Sequence, residues 1–375
     1  MSNRLDKSRY FYCMLGNPKA SFGTISAELH RIRRSALNPF FSQQAVSKFS
    51  THIQAIVNRF VRRIETCTDR GESIPLSYAY RCVTVDIISE YIFGHQFNLL
   101  DRPDWGREFY SAWRSLWELS PTIRQFPWML DAFMAMPRWL TALINSKALE
   151  VVDLFTDVDE QTKILLSKDP DEIELKPHPT VVWELSKTDI LPPSEKTFTR
   201  LAVEANGLLA AGFETTGSVL AHTTYLVLAH PDVHRKLLAE LIEAIPNPEE
   251  IPGFQHLEQL PYLRAVVKEG LRWIGPLAVD GRLEQYILAF GRGTRSCVGI
   301  NLAYAEIYTI LATLFRKFPQ IQLHNTAPRD VEHVHDYFAG MTRSDSQGLQ
   351  VNDSAYLWMG ESLGPESYGP HVNGI

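Results

Sequence analysis

Cys297 lies in the run Phe290-Gly-Arg-Gly-Thr-Arg-Ser-Cys-Val-Gly299, directly ahead of an apolar stretch from Ile300 to Phe315. Gly291, Gly293 and Gly299 let the backbone approach a flat, bulky group with no Cβ in the way. Arg295 and the start of the following helix place positive potential near the sulfur, which favours the thiolate. Phe290 can shield that sulfur from water. The chemistry open to such a residue is that of a thiolate ligand. The plainer alternative is an inert cysteine packed in a glycine-rich turn, the usual fate of an isolated free cysteine.

Three further groups of residues have spacings that suit chemistry. Ala211-Gly-Phe-Glu-Thr-Thr216 puts a carboxylate and two hydroxyls inside a long apolar stretch, where polar groups need partners. Gly212 and the threonines can loosen the helical hydrogen-bond ladder and leave room for water or dioxygen. Alternatively, the threonines simply bond back to the preceding turn. Glu269-Gly-Leu-Arg272 is an i,i+3 pair on one helix face. His30 and Arg34, four apart in Leu29-His-Arg-Ile-Arg-Arg34, can point along one face toward carboxylates, which an arginine fork grips well. For Arg31 and Arg33 a solvated basic face is the competing expectation.

The pattern Phe-x-x-Gly-x-Arg-x-Cys-x-Gly is complete at residues 290–299. With the other three groups, it resembles the cytochrome P-450 superfamily, the haem-thiolate monooxygenases. The resemblance implies a mainly helical fold of that type and Cys297 as axial ligand of the iron of haem b, where a thiolate favours O–O cleavage. Phe290, Gly299 and Gly212 would border the cofactor, and His30, Arg34 and Arg295 would hold its propionates, although the family often has Trp where His30 stands. Thr215 would hydrogen-bond iron-bound oxygen, and Glu214 would relay protons, a general-acid task. Glu269 and Arg272 would be a structural ion pair.

The implied reaction inserts one atom of O2 into a small apolar metabolite. Electrons would come from NADPH through a partner NADPH-cytochrome reductase docking near Arg292 and Lys317, since the chain shows no flavin or nicotinamide motif. The resemblance is closest to filamentous-fungal members of secondary metabolism, including trichodiene-type terpene oxygenases, which implies a terpenoid or polyketide substrate.

The elements that must position these residues read as helices. The spacing predicts helices over Ile25 to Ser35, Gln43 to Thr66 (capped by Ser42), Val83 to Phe93, Glu195 to His230, Pro231 to Ala244 and Pro261 to Trp273. Trp105 to Leu154 carries aromatic and Met residues at helical spacing, which suit plain packing and a substrate-pocket cover equally. The prolines of Lys168 to Ser194 mark loops around one short helix. Strand signals are few, and residues 336–338 and 348–351 are expected to pair as a terminal hairpin.

A chain of 375 residues with 45% hydrophobic content supports a large core. Residues 1–351 read as one domain and 352–375 as a loose tail. The formal net charge of −6 argues against nucleic acid as a partner, and a monomer is expected. Cys13, Cys67, Cys82 and Cys297 form no Cys-x-x-Cys pair, so a reducing compartment fits. Family members sit on the cytoplasmic face of the endoplasmic reticulum. This chain shows no anchor, signal core or spanning stretch, so a cytoplasmic or peripheral location is expected.

The family pattern breaks between Arg272 and Phe290. Members carry a longer segment there, with pocket-lining strands and an aromatic-Pro-Glu-Arg region whose arginine completes the Glu-x-x-Arg network. The join is expected near Leu283 to Gln285. Breaking a buried ionic network costs about 3–5 kcal/mol, and most of the small β-sheet would be missing. An inactive haem-binding relic or a mis-spliced product is therefore the alternative to an active enzyme.

Overall fold

The computed structural model describes residues 5–12, 19–144, 148–169, 178–274, 289–337 and 340–353. The helices are α1 (Arg9–Tyr12), α2 (Ala27–Leu37), α3 (Gln43–Asp69), α4 (Leu76–Phe93), α5 (Arg107–Glu118), α6 (Ser120–Gln125), α7 (Trp128–Met134), α8 (Arg138–Ile144), α9 (Ala148–Ser167), α10 (Val181–Lys187), α11 (Phe198–Ala229), α12 (Pro231–Ala244), α13 (Phe254–Leu257), α14 (Pro261–Ile274) and α15 (Ile300–Lys317).

Their boundaries follow local chemistry. Ser26 and Ser42 cap α2 and α3 by accepting from Leu29 N and Ala45 N, which satisfies backbone donors left open at a helix start. On α3 the buried positions Val46, Phe49, Ile53, Ile56, Phe60 and Ile64 recur at three- and four-residue intervals, one apolar stripe against the core. The predicted Glu195 to His230 helix begins instead at Phe198. Pro192 and Pro193 lead into a 3-10 turn over Pro193–Glu195, and Thr197 accepts from Arg200 N to start the helix proper. The predicted Val83 to Phe93 helix starts earlier, at Leu76, and so brings Arg81 into the core.

Helix α11 runs through the middle of the molecule, packed along α4 and crossed by α9 and α14. Two glycines allow the close approach to α4: a Cβ on Gly212 would sit 2.8 Å from Ile88 Cγ1, and one on Gly217 would sit 2.9 Å from Arg81 Cγ. Helix α15 packs against α3, α11 and α13 and is buried over most of its length.

Among the described residues, strands form two two-stranded antiparallel sheets. β1 (Ile321–Leu323) pairs with β4 (Val351–Asp353), and β2 (His335–Asp336) pairs with β3 (Gly340–Met341). The expected terminal hairpin does not form. Asp336 pairs locally with Gly340, while Val351 pairs with Leu323 and bridges to Ile74 ahead of α4. Strand β4 includes Asn352 and Asp353, and residues 354–375 lie outside the described residues, as do 275–288, which include the expected join.

Candidate functional site

The cysteine loop is a tight turn built from its glycines. Gly291 (φ +63°) and Gly293 (φ +76°) occupy left-handed backbone that a side chain would strain, and Gly293–Arg295 forms a 3-10 turn. Cys297 N donates to the Phe290 carbonyl at 2.7 Å, closing the loop just before α15. The Phe290 ring packs on Tyr304 of α15, with centroids 5.1 Å apart.

Cys297 is exposed at its surface, yet protein surrounds it closely. Burial pushes its thiol pKa up, against the opposing pull of the Gly299 N–H and the Arg34 charge. The cation that opposes this rise is Arg34 and not the expected Arg295. Arg295 turns instead to the backbone, donating to the Thr24 and Ile25 carbonyls at 2.8 and 2.9 Å. Arg34 donates to the Ser296 and Cys297 carbonyls at 2.5 and 3.3 Å. The two arginines therefore clamp the cysteine loop to α2 and the segment before it.

Around His30 the charges gather. The imidazole is buried, and its pKa is lowered to about 4 by burial and then by Arg295, Lys7, Arg34 and Arg33. Four cations thus share one corner beside the loop. Arg33 is not on a solvated face: it is 6% exposed and forks onto Glu195 at 2.7 and 2.9 Å. Glu195 also takes Arg200 Nε at 2.8 Å, Arg200 bonds Glu204 at 2.5 Å, and Glu204 accepts from Ser21 N and Oγ. This buried chain ties α2 and residues 21–24 to the start of α11. The sequence reading missed it because its members lie up to 183 positions apart.

On α11, Ala211 and Thr215 are exposed while Phe213, Glu214 and Thr216 are buried, so one turn of this helix borders open space. Thr215 Oγ1 donates to the Ala211 carbonyl at 2.7 Å, the back-bonded alternative, and the helix stays continuous. The Gly212 position is taken up by packing against Ile88. Glu214, 3% exposed, does not join Thr215. Its carboxylate accepts from Arg81 Nη2 at 2.7 Å and Nε at 3.3 Å, and from Ser218 Oγ at 3.2 Å. Arg81 is the functional candidate that the sequence reading passed over. A charge amid Tyr80, Cys82 and Val83 was the available signal, because a buried cation demands a partner.

The remaining expected positions divide. Glu269 and Arg272 form the two-point ion pair on α14, with Arg272 Nε to Glu269 Oε2 at 2.7 Å. Their side chains are 51% and 35% exposed, so the cost argued for a buried network does not apply to them. Lys317, expected on a docking surface, is bonded to Glu249 at 2.7 Å, whereas Arg292 is exposed.

Haem fits this donor set. The thiol at the mouth of a glycine turn, the open turn of α11 and the cation corner supply a soft ligand, a bare helix face and carboxylate partners. No helix among the described residues is long and apolar enough to cross a membrane.

Comparison with known proteins points the same way. The chain is 31% identical over 404 aligned positions to a tryptophan 6-hydroxylase of Fusarium equiseti, covering 93% of this chain and 79% of that protein. It is 29% identical to an N-acetyltryptophan 6-hydroxylase of Emericella nidulans, covering 90% and 77%. A crystal structure of a cytochrome P450 superposes with a TM-score of 0.68 at 18% identity, covering 93% of this chain and 88% of the other. The haem domain of cytochrome P450DA gives 0.70 at 17%, covering 94% and 84%. The 404 aligned positions exceed the 375 residues of the chain, so the relative has residues that this chain lacks. The family model described as Cytochrome P450 matches in two pieces, residues 3–280 and 278–344. They meet a few residues before the Leu283 to Gln285 join expected from the sequence. With the model matched across most of its length, the chain belongs to the cytochrome P450 family.

Proposed function

We propose that this P450 monooxygenase binds haem b through Cys297 and inserts one oxygen atom from O2 into a small, largely apolar metabolite of fungal secondary metabolism. The observation that carries this is the closed loop at Cys297, clamped by Arg34 and Arg295 to a corner that also holds His30 and Lys7. Haem, when bound, supplies the dioxygen chemistry. The protein's own residues hold and shield it. Cys297 is the ligand, the glycines keep the loop thin, Phe290 covers the sulfur, and the cation corner binds propionates. Thr215 presents a hydroxyl at the open turn of α11. Glu214, one residue away, accepts from Arg81 and Ser218 and is the acid assigned to proton relay. NADPH acts through a separate reductase.

The named activities of the two hydroxylase relatives support an indole substrate of the tryptophan class. The terpenoid or polyketide class rests on the resemblance to fungal secondary-metabolism oxygenases. The two-piece family match and the solvated Glu269–Arg272 pair favour a second reading, an inactive haem-binding relic.

Reconstitution decides between them. Purified protein given haem and reduced under CO should show the red-shifted Soret band of a thiolate complex, and Cys297→Ser should abolish it. Haem uptake without turnover of tryptophan, N-acetyltryptophan or a terpenoid panel would favour the relic. No uptake at all would remove the monooxygenase reading.

A further inference from the structure

Thr24 stands where two hydrogen-bonded arms from α11 meet, and it is buried. Its hydroxyl donates to the Ala20 carbonyl at 2.7 Å and accepts from Arg33 Nη1 at 2.7 Å. An arginine can only donate, so the direction of both bonds is fixed. The first arm runs from Thr24 through the Arg33 fork to Glu195, which also takes Arg200 of α11. Pro192 and Pro193 preset the 3-10 turn that presents Glu195. The second arm runs from Glu204 of α11 to Ser21, whose carbonyl accepts from Thr24 N at 3.3 Å.

The main chain of the same residue meets the cysteine loop. The Thr24 carbonyl accepts from Arg295 Nη1 at 2.8 Å, and Arg295 lies two residues before Cys297. The side chain of Thr24 therefore answers to α11 and its backbone to the loop. Thr215 follows Glu204 by three helical turns of about 3.6 residues each, so the two project from nearly the same side of α11. The arms tie that side of the helix to the Cys297 loop. Arg33 and Arg200 balance Glu195 and Glu204, and all four side chains are at most 13% exposed, so salt screens them little.

We propose that Thr24 and Glu195 are positioning residues for the monooxygenase site: together they hold the Cys297 loop in register with the Thr215 turn of α11. The proposal rests on the monooxygenase reading, in which Cys297 and Thr215 act on one haem. Neither residue acts on the cofactor itself. Glu195 works through Arg33 and Thr24, and Thr24 works through Arg295.

Two measurements test this. Thr24→Val keeps the shape and deletes the hydroxyl, whereas Thr24→Ser keeps the hydroxyl. In the haem-free protein, hydrogen–deuterium exchange of the 290–299 peptide follows the bond from Cys297 N to the Phe290 carbonyl. It should be about tenfold faster in Thr24→Val, the lower range for a lost hydrogen bond to a charged group, and unchanged in Thr24→Ser. Exchange in α12, which follows the other end of α11, should match the parent in both variants. In haem-loaded protein reduced under CO, the ratio of the red-shifted thiolate band to the blue-shifted band of a lost thiolate should fall about tenfold in Thr24→Val and return in Thr24→Ser. If Thr24→Val does not fold, Glu195→Gln, equal in shape but without the charge, takes its place in both assays. A loop exchange or a band ratio that stays at the parent value, or one that shifts equally for Val and Ser, overturns the proposal. Should the parent take up no haem, the monooxygenase reading falls instead, and loop exchange alone decides whether the arms hold the loop.

Discussion

At the scale of single residues, the ion pair of Arg81 and Glu214 has the sharpest energetic consequence. Both partners are at least nine-tenths buried, so removing the cation leaves a charge without compensation in the core. Arg81→Ala should lower unfolding stability by about 3–5 kcal/mol in denaturant titration, and Arg81→Lys should recover only part of it because lysine lacks the fork. Glu269→Ala should behave differently. With both partners of that pair partly in solvent, the loss should be under about 1 kcal/mol, and a loss near 4 would mean that the pair is buried in solution. Cys297, Thr215 and the Glu269–Arg272 pair were legible as residues, because motif spacing survives in one dimension. What Glu214 bonds to was not, since its partner lies 133 positions away on α4.

At the scale of elements, the contact of α4 with α11 fixes the turn that carries Thr215. A methyl group on Gly212 would press on Ile88, so Gly212→Ala should cost about 1–3 kcal/mol by overpacking. The same substitution in an Ile88→Ala background should cost clearly less. Purely additive losses in that double-mutant cycle would show that the two side chains do not meet. The sequence marks Gly212 as unusual within an apolar helix but gives no direction for it; only the crossing of the two helices assigns it to packing. Helix ends were legible where chemistry is local. Ser42, Pro231 and Pro261 mark true starts, whereas Val351 pairs with β1 and Ile74 rather than with its expected neighbour.

At the scale of the whole molecule, acid response follows from buried titrating groups. The imidazoles of His30 and His333 have pKa values lowered to about 4 and about 3 by burial and neighbouring cations or imidazole. The unfolded chain protonates them near 6.5. Their contribution is therefore present above pH 6.5 and is lost as pH falls toward 4 and 3. Asp86 runs the other way. Burial raises its pKa to about 6 from 3.8, so the folded state gains a proton first and is favoured on acidification between these values. Burial also raises the Glu306 carboxyl, which acts with Asp86, but it lowers His52, His222 and His234 along with His30 and His333, so denaturant midpoints of the haem-free protein should fall from pH 7 to pH 4. His333→Gln should flatten that profile and Asp86→Asn should steepen it; unchanged slopes in both would contradict these environments.

The sequence by itself determined the family, the helical class and the glycine loop around Cys297, because each is written in short-range spacing: a ten-residue loop, a helical period, a cap. Tertiary structure alone decided that Arg34 and Arg295 clamp backbone carbonyls, that Gly212 serves a helix crossing and that Glu214 belongs to Arg81. Those outcomes depend on which surfaces meet across more than a hundred residues, a separation that no local spacing records.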